Sequence, residues 1–222
     1  MVRPSLSEDM LKCLRPREWL NDEVISYFID KYLPQHDAVL SLDCQFFALI
    51  KLMQETKGHS YNSYLEYADI AGSVDWQKHR IFQFPVCMNG HWSTLAVENP
   101  FELVGPTVFY HMDSIAGYHK SDDVVRVVLK FIACEKLRYT RRKHSGKFQV
   151  ERISTIPQQD NDYDCGLYVI NHMRRISNAY RENPQLNGKK TIRSLCSGFT
   201  KQSCSQFRSN LIELFKSDDL VY

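Results

Sequence analysis

The sequence predicts an α+β fold in which a central mixed sheet is flanked by helices. Three observations lead to this prediction. Segments whose apolar residues recur at helical spacing come first, short strand-like runs follow them, and the second half of the chain mixes the two kinds of element. The sequence shows no internal repeat, and 43% of its 222 residues are hydrophobic. This composition is ordinary for globular proteins, so we expect a single domain that spans residues 1–222.

The helical segments near the N-terminus are marked by polar residues that can cap them. Ser5 with Glu8 has the pattern of a capping box. Asn21 and Asp43 each precede a run with helical apolar spacing. We therefore expect helices at residues 5–14, at residues 22–33 and from Asp43 to about residue 58.

Strand-like runs and further helices follow. The strand candidates are residues 81–87, 93–98, 107–112 and 148–156. Ser121-Asp122-Asp123 opens a helix with strong apolar spacing. We also expect a helix at the end of the polar run 160–164, a loop at residues 183–202, which hold Pro184 and Gly188, and a last helix at residues 203–216.

The most informative stretch is residues 156–166, which read I-P-Q-Q-D-N-D-Y-D-C-G. Its Asn and Asp residues favour a helix start, and apolar residues at helical spacing begin at Leu167, so we expect Cys165 in the first turn of a helix. Backbone N–H groups and the positive end of the helix dipole favour a thiolate there, the form that attacks a carbonyl. The alternative is an inert buried cysteine, because free cysteine is among the most buried residue types.

His91 is the one histidine of eight whose context points to chemistry. It follows Gly90 and lies between two strand candidates, so a rigid element would hold it at an opening. Asp113 follows the next strand candidate, and pairing of successive strands would bring the two side chains together. A nucleophilic cysteine needs such a base and such an orienting group. Alternatively, His91 is a satisfied structural histidine and Asp113 a strand-end turn residue.

Two glutamines, Gln158 and Gln159, precede Cys165 in the loop that leads into its helix. A side-chain amide at this place, or the backbone N–H of Cys165, can donate to a developing oxyanion. The residue pattern alone does not choose between the two glutamines, and both could also be solvated loop residues.

These residues together resemble the Ulp/SENP cysteine proteases, which process SUMO and related ubiquitin-like modifiers. The resemblance rests on Q-x-N-x-Y-D-C-G, G-H-W-S, M-D-S and an upstream W-L-N-D in this order, and it runs from about Leu6 to the C-terminal helix. It implies a papain-like fold and a single catalytic domain. It also implies four catalytic roles: Cys165 as nucleophile, His91 as base, Asp113 as acid, and Gln159, six residues before the cysteine, as oxyanion donor.

The resemblance further implies a channel for the modifier's tail. Trp19 and Trp92 would pack over a narrow tunnel that holds the C-terminal Gly-Gly, and Asp22 would contact the modifier near that tail. A Gly-Gly tail has no side chains, so it can pass between two indole rings that exclude water. Otherwise the two tryptophans are core residues.

Composition excludes several other classes of protein. A formal net charge of +2 is too small to indicate a nucleic-acid or membrane partner. Seven cysteines without C-x-x-C spacing indicate neither a metal site nor a disulfide framework. We therefore expect no cofactor and no metal, and a monomer in the nucleus or cytoplasm, where thiols stay reduced. The N-terminus has no apolar signal segment, and no apolar run reaches the length of a membrane span.

The leading hypothesis is a thiol isopeptidase or endopeptidase that cleaves after the Gly-Gly of a ubiquitin-like modifier, in precursors, in protein conjugates or in both. SUMO is the favoured modifier, and a deneddylase is the alternative within the same class. An acetyltransferase of the same fold is a second class, but a small acyl donor needs no tryptophan tunnel. A third is a non-catalytic modifier-binding module, which the presence of all four catalytic residues disfavours.

Overall fold

A mixed five-stranded sheet lies at the centre of the described part of the chain, with strands in the order β1-β2-β3-β4-β5. The computed structural model describes residues 7–33, 36–57, 72, 74–102, 106–140, 147–153 and 156–219. The strands are β1 (Val39–Ser41), β2 (Ile81–Met88), β3 (His91–Glu98), β4 (Thr107–Met112) and β5 (Phe148–Arg152). Strands β2, β3 and β4 pair antiparallel, whereas the edge strands β1 and β5 pair parallel to β2 and β4. The predicted mixed sheet is confirmed.

Helices flank this sheet, as the sequence predicts. They are α1 (Glu8–Cys13), α2 (Asp22–Tyr32), α3 (Cys44–Lys57), α4 (Ser121–Thr140), α5 (Cys165–Glu182), α6 (Gly188–Cys196) and α7 (Lys201–Asp219). Two predicted caps are confirmed, because Asn21 Oδ1 accepts the N–H of Val24 at 3.0 Å and Asp43 Oδ1 accepts the N–H of Phe46 at 3.0 Å. A single 3-10 turn, Trp76–Lys78, precedes β2.

The cap of α1 differs from the predicted one. Ser7 is the N-cap, and its Oγ accepts the N–H of Met10 at 3.1 Å. Glu8 and Asp9 then fall in the first turn, where the helix dipole favours negative charge. Ser5 lies outside the described residues. Two serines precede the helix, and Ser7 is the N-cap because its side chain accepts a hydrogen bond from the first turn.

The predicted loop at residues 183–202 is wrong, because α6 lies within it. Ile192 and Cys196 are fully buried and four residues apart, so they share one helix face, which packs in the same cluster as Tyr180. With Leu195 they form a set of three apolar residues, which is too short a pattern to predict a helix, and Gly188, with a φ of 83°, is typical of a turn. Tertiary packing of this short face therefore stabilises α6.

Helix α5 joins the sheet to the helical layer. It packs along β3 and against α2, α6 and α7. Its first turn lies against the segment before α2, since a Cβ added at Gly166 would be 2.8 Å from Leu20 Cβ. Only glycine allows this approach, which holds the start of α5 in one buried cluster with Leu20 and Trp92.

Candidate active site

His91 and Asp113 meet where β3 begins and β4 has just ended. The two strands pair antiparallel with Thr94 opposite Met112, so the start of one strand lies beside the end of the other. His91 Nε2 lies 2.7 Å from Asp113 Oδ1, and the two side chains are 3% and 8% exposed. Strand pairing therefore brings the two residues together, as the sequence predicts.

Two backbone N–H groups hold the Asp113 carboxylate in place. The N–H of Ile115 donates to Oδ1 at 3.0 Å, and the N–H of His119 donates to Oδ2 at 2.9 Å. Burial alone would raise the pKa of Asp113, but the hydrogen bonds from His91 and from these N–H groups hold it below its usual value. Asp113 is thus a carboxylate at neutral pH, and His91 Nε2 carries the shared hydrogen.

The electrostatic surroundings of His91 favour its charged form. Burial acts to lower its pKa, but the hydrogen bond with Asp113 and the nearby Cys165 outweigh burial and raise the pKa to about 9. Because Nε2 faces Asp113, the nitrogen left for Cys165 is Nδ1. The Tyr118 ring lies 4.5 Å from the His91 ring, and its hydroxyl donates to the carbonyl of Asn89 at 2.8 Å. An imidazolium at neutral pH is the partner that a thiolate needs.

Cys165 is the first residue of α5 and is 2% exposed. The prediction that it lies in the first turn of a helix is therefore confirmed. The carbonyl of Asp164, the N-cap, accepts the N–H of Leu167 at 2.9 Å, which starts the helix. The first N–H groups of a helix have no partner within it, so the positive end of the dipole lies beside the sulfur.

Arg208 of α7 anchors the start of α5, and sequence reasoning did not single it out. Its guanidinium donates to Asp164 Oδ1 at 2.8 Å and to the carbonyl of Cys13 at 3.1 Å. Asn161 donates to the other oxygen of Asp164 at 2.9 Å. Arg208 is only 5% exposed, so this ion pair is buried at the residue that precedes Cys165. The sequence signal was an arginine on an apolar-spaced helix, and only the fold shows which carboxylate it meets.

The two glutamines in the loop before α5 are tied to the turn after β4. Gln159 Oε1 accepts from Ser114 Oγ at 2.6 Å, and Gln159 Nε2 donates one hydrogen to the carbonyl of Asn161 at 2.7 Å. Gln158 Nε2 donates to the carbonyl of Asp113 at 3.2 Å. Neither is therefore a freely solvated loop side chain. An amide nitrogen carries two hydrogens, so Gln159 has a second one to donate.

Both candidate channel tryptophans lie at the turn between β2 and β3. Trp92 is 7% exposed, and its Nε1 donates to the carbonyl of Leu20 at 3.0 Å. Trp19 is 50% exposed, and a Cβ at Gly90 would lie 3.3 Å from its ring. Gly90 has a φ of 74°, so both its backbone and this close approach favour glycine. Trp92 is thus mainly a core residue, whereas Trp19 presents its ring to solvent.

Asp22 begins α2, and its Oδ2 accepts from Gln45 of α3 at 2.7 Å. Cys87 of β2 is exposed and lies opposite Trp92, the residue after His91, in the pairing of β2 with β3. Burial raises the pKa of Cys87, and the charges of Cys165 and Asp22 raise it further.

Two histidines that the sequence pattern did not distinguish also lie beside the site. The ring of His119 is 5.0 Å from the ring of His91 in an edge-to-face contact. His111 of β4 is hydrogen-bonded to Ser93, two residues after His91 on β3. His111 falls inside a strand run and His119 in a loop, so no local signal marks either one.

Among the residues that the structure describes, no group of three or more His, Cys, Asp or Glu side chains could hold a metal ion. The seven cysteines are unpaired. Within the same part of the chain, no helix combines the length and the apolar character needed to span a membrane.

Comparisons with known sequences show what this chain is similar to. The model of the Ulp1 protease family, C-terminal catalytic domain, matches residues 18–209. The chain is 28% identical over 230 residues to a probable ubiquitin-like-specific protease 2A of Arabidopsis thaliana, which covers 92% of this chain and 29% of that protein. It is 28% identical over 169 residues to sentrin-specific protease 5 of Mus musculus, which covers 76% of this chain and 21% of that protein. The chain thus spans less than a third of the length of these two relatives.

Solved structures share the fold. A crystal structure of a de-sumoylating protease has a TM-score of 0.74 at 18% identity and covers 98% of this chain and 87% of that chain. The C-terminal Ulp1 protease domain in complex with Smt3, the yeast ortholog of SUMO, has a TM-score of 0.62 at 18% identity and covers 99% of both chains. The predicted papain-like α+β fold is confirmed. Because the family model matches most of the sequence, this chain belongs to the Ulp1 family of cysteine proteases.

Proposed function

We propose that this chain is a thiol isopeptidase and endopeptidase that cleaves after the C-terminal Gly-Gly of a ubiquitin-like modifier, with SUMO as the preferred modifier. The observation that carries the proposal is the 2.7 Å contact between His91 Nε2 and Asp113 Oδ1, with Cys165 at the N-terminus of α5 near enough to raise the pKa of the same imidazole. A nucleophile at a helix N-terminus, an imidazole and an orienting carboxylate are the groups that thiol acyl transfer needs.

In the first step the Cys165 thiolate attacks the carbonyl carbon of the modifier's last glycine. The bond from that carbon to the leaving amine breaks, and the electron pair goes to nitrogen. His91 Nδ1–H protonates this nitrogen, so the amine leaves neutral and a thioester remains on Cys165. Asp113 holds the ring in this orientation and stabilises its positive charge beforehand.

In the second step water attacks the thioester. His91, now neutral, removes a proton from the water as a general base. The Cys165 sulfur leaves as a thiolate, which restores its pair with the imidazolium. The modifier is released with a free C-terminal carboxylate.

Both steps pass through a tetrahedral oxyanion. We assign its donors to the second hydrogen of Gln159 Nε2 and the backbone N–H of Cys165. The bonds of Gln159 to Ser114 and Asn161 support this assignment, because they orient the amide before the substrate arrives. Donors that are already oriented need no reorganisation when charge develops.

Trp19 and Trp92 are the proposed walls of the tail channel, and Asp22 the proposed contact to the modifier beyond it. The exposed ring of Trp19 against Gly90 supports this role, since it leaves a flat apolar surface one residue from His91. The choice of SUMO is supported by the mouse sentrin-specific protease and by the solved complex of Ulp1 with Smt3. The W-L-N-D-E-V-I run of this chain also resembles SUMO proteases.

A panel of modifiers with C-terminal electrophiles tests the proposal. SUMO, the cullin modifier and ubiquitin would each be incubated with the protein, and the adduct located by mass spectrometry. We expect the SUMO probe to label Cys165 fastest, and Cys165→Ala to remain unlabelled. Preferential labelling by the cullin modifier would make the chain a deneddylase. Failure of every probe, with acetyl transfer from acetyl-CoA to a lysine peptide, would favour the acetyltransferase class instead.

A further inference from the structure

A column of four hydrogen-bonded side chains lies behind the His91–Asp113 pair. It runs from the first residue of α4 to the end of β2 through Ser121, His111, Ser93 and His119. The successive contacts are Ser121 Oγ to His111 Nδ1 at 2.8 Å, His111 Nε2 to Ser93 Oγ at 3.0 Å, Ser93 Oγ to His119 Nδ1 at 2.8 Å, and His119 Nε2 to the carbonyl of Met88 at 3.0 Å. All four side chains belong to buried residues.

The last contact sets the direction of the whole column for neutral rings. A carbonyl only accepts, so His119 Nε2 carries a hydrogen and Nδ1 must accept from Ser93. The Ser93 hydroxyl has one hydrogen, which it gives to His119, so His111 Nε2 must donate to Ser93. His111 Nδ1 then accepts from Ser121. Both histidines are therefore Nε2–H tautomers.

The surroundings keep these two rings uncharged. Burial lowers the pKa of His111 to about 4. Burial also lowers the pKa of His119, and the neighbouring His91 lowers it further, against the opposing effects of the Met88 carbonyl and of Asp113. An unpaired buried charge is costly, whereas a neutral imidazole with one donor and one acceptor satisfied is not.

The column acts on the active site through His119. Its backbone N–H donates to Asp113 Oδ2 at 2.9 Å, while Asp113 Oδ1 faces His91. Hydrogen bonds at both ring nitrogens fix the position of the His119 side chain, and this restricts the position of its backbone N–H as well. The His119 ring also lies 5.0 Å from the ring of His91, where a second positive charge would oppose the imidazolium.

We propose that His119 is a positioning residue of this active site. The column Ser121–His111–Ser93–His119 holds it as a neutral Nε2–H imidazole, so that its backbone N–H fixes Asp113 and the positive charge stays on His91 alone. The effect on catalysis rests on the proposed function, because it requires the His91–Cys165 pair to be the reactive one. The tautomers themselves do not depend on that function.

The first test is spectroscopic and independent of substrate. Two-bond nitrogen–proton correlation spectra of the ¹⁵N-histidine-labelled protein at neutral pH distinguish the two tautomers and the charged ring. The signals of His111 and His119 are assigned by replacing each in turn with Gln. We expect the neutral Nε2–H form at both positions. An Nδ1–H tautomer or a charged ring at either position would overturn the inference.

The second test separates positioning from general stability. Ser93→Ala opens the column between its two histidines, and we expect kcat to fall on the order of 10- to 100-fold with KM nearly unchanged, as when an outer hydrogen-bond partner of an active group is lost. Ser93→Thr keeps the hydroxyl and should recover part of the loss. Thr94→Val is the matched control, since it removes the next hydroxyl on β3, which is buried and has no hydrogen-bond partner in the structure. Its kcat should equal that of the wild type.

Three kinetic outcomes would contradict the inference: an unchanged kcat in Ser93→Ala, an equal loss in Thr94→Val, or an effect confined to KM. The rate of Cys165 alkylation by iodoacetamide should also fall in Ser93→Ala, and an unchanged rate would count against the inference. If no modifier probe reacts with the wild type, the proposed function fails, but the tautomer and alkylation results still decide the role of His119.

Discussion

Strand β3 has a buried titratable group at each end, and the two ends differ in what their partners can do. His91 begins the strand and Glu98 ends it, and each is 2% exposed. Glu98 accepts from the hydroxyls of Tyr110 and Tyr180 at 2.7 and 3.2 Å and from the N–H of Gly188 at 3.2 Å. One carboxylate is thus surrounded by three donors.

The two ends of β3 differ in whether a proton can move between the groups that meet there. Burial raises the pKa of Tyr110 and of Tyr180, and the Glu98 carboxylate raises both further, so the phenols keep their protons at neutral pH. At the other end, burial opposes the charge on His91, but Asp113 and Cys165 raise its pKa to about 9. Burial and charge alone therefore do not mark a reactive site. What marks it is a pair of groups between which a proton can move.

Replacing the groups that exchange this proton should have the largest effect. We expect Cys165→Ser to abolish turnover while modifier binding stays measurable, and His91→Ala to lower kcat on the order of 10⁴-fold or more, because the members of a triad act as a unit. Asp113→Ala should be roughly 10- to 100-fold milder. Hydrolysis of a modifier with a C-terminal fluorophore measures all three. Substantial turnover by Cys165→Ser, or normal activity of His91→Ala across a full pH profile, would remove the distinction between the two ends.

Replacing Glu98 should lower stability and leave the chemistry intact. Glu98→Ala leaves two buried phenols and the part-buried N–H of Gly188 without this acceptor. An unsatisfied buried group costs about 1–3 kcal/mol, so we expect the free energy of unfolding to fall by roughly 2 kcal/mol or more. Glu98→Gln retains one carbonyl acceptor and should lose less. Urea unfolding measures the loss, and kcat/KM of the folded variants should stay near the wild-type value. Loss of kcat/KM without loss of stability would contradict this prediction and would give Glu98 a role in the chemistry.

The next prediction concerns the effect of the two glutamines on kcat. Gln159→Ala should lower kcat on the order of 10²-fold with little change in modifier binding, as expected for the loss of one oxyanion donor. Gln158→Ala is the matched control and should be mild, because among the described residues its amide donates to the carbonyls of Asp113 and Ile156 alone. Single-turnover kinetics with saturating enzyme measures both. A reversed order would assign the oxyanion to Gln158.

A smaller effect concerns the glycine tail. A modifier that ends in Gly-Ala should be cut more slowly than one that ends in Gly-Gly, since an added methyl in a packed slot costs about 1–3 kcal/mol, or roughly 5- to 150-fold. Trp92→Ala should lower activity on Gly-Gly and narrow this gap. Trp19→Ala should do the same with less loss of stability, because Trp19 is 50% exposed and Trp92 is buried. The comparison uses kcat/KM for both tails, and an unchanged ratio in both variants would place the selectivity elsewhere.

A last comparison concerns the effect of pH on stability at the two ends of the His91–Asp113 pair's titration range. The pKa of folded His91 is about 9, above its usual value of 6.5, so its contribution to stability is fully present below about pH 6.5 and is lost as pH rises through 9. The pKa of Asp113 is lowered, so its contribution is present above its ordinary pKa of 3.8 and is lost as pH falls below it. Urea unfolding of the wild type and His91→Asn between pH 6 and pH 9.5, a range chosen around these values, should show a shrinking difference. A constant difference would show that His91 gains no charge on folding.

Local signals account for what could be predicted at the site. The polar run before Cys165 predicts its helix start, and the strand pattern places His91 and Asp113 at neighbouring strand ends. In the structure Cys165 begins α5, and His91 and Asp113 are in contact. The caps Asn21 and Asp43 are likewise local, because the bonds they make span three residues. Helix α6 escaped prediction because its three apolar residues make too short a pattern, and packing of that face in the core stabilises it.

By itself, the sequence determined the α+β class, the places where most elements begin, and the candidates for nucleophile, base, orienting acid and oxyanion donor. These follow from residue type, periodicity and motif order, which act over a few neighbouring residues. Only the tertiary structure decided that Arg208 pairs with Asp164, that Gly166 lies against Leu20, and that His119 is locked beside Asp113. Each of these depends on groups brought together by folding, since a hydrogen bond or a close approach is specified by both partners and by the geometry between them.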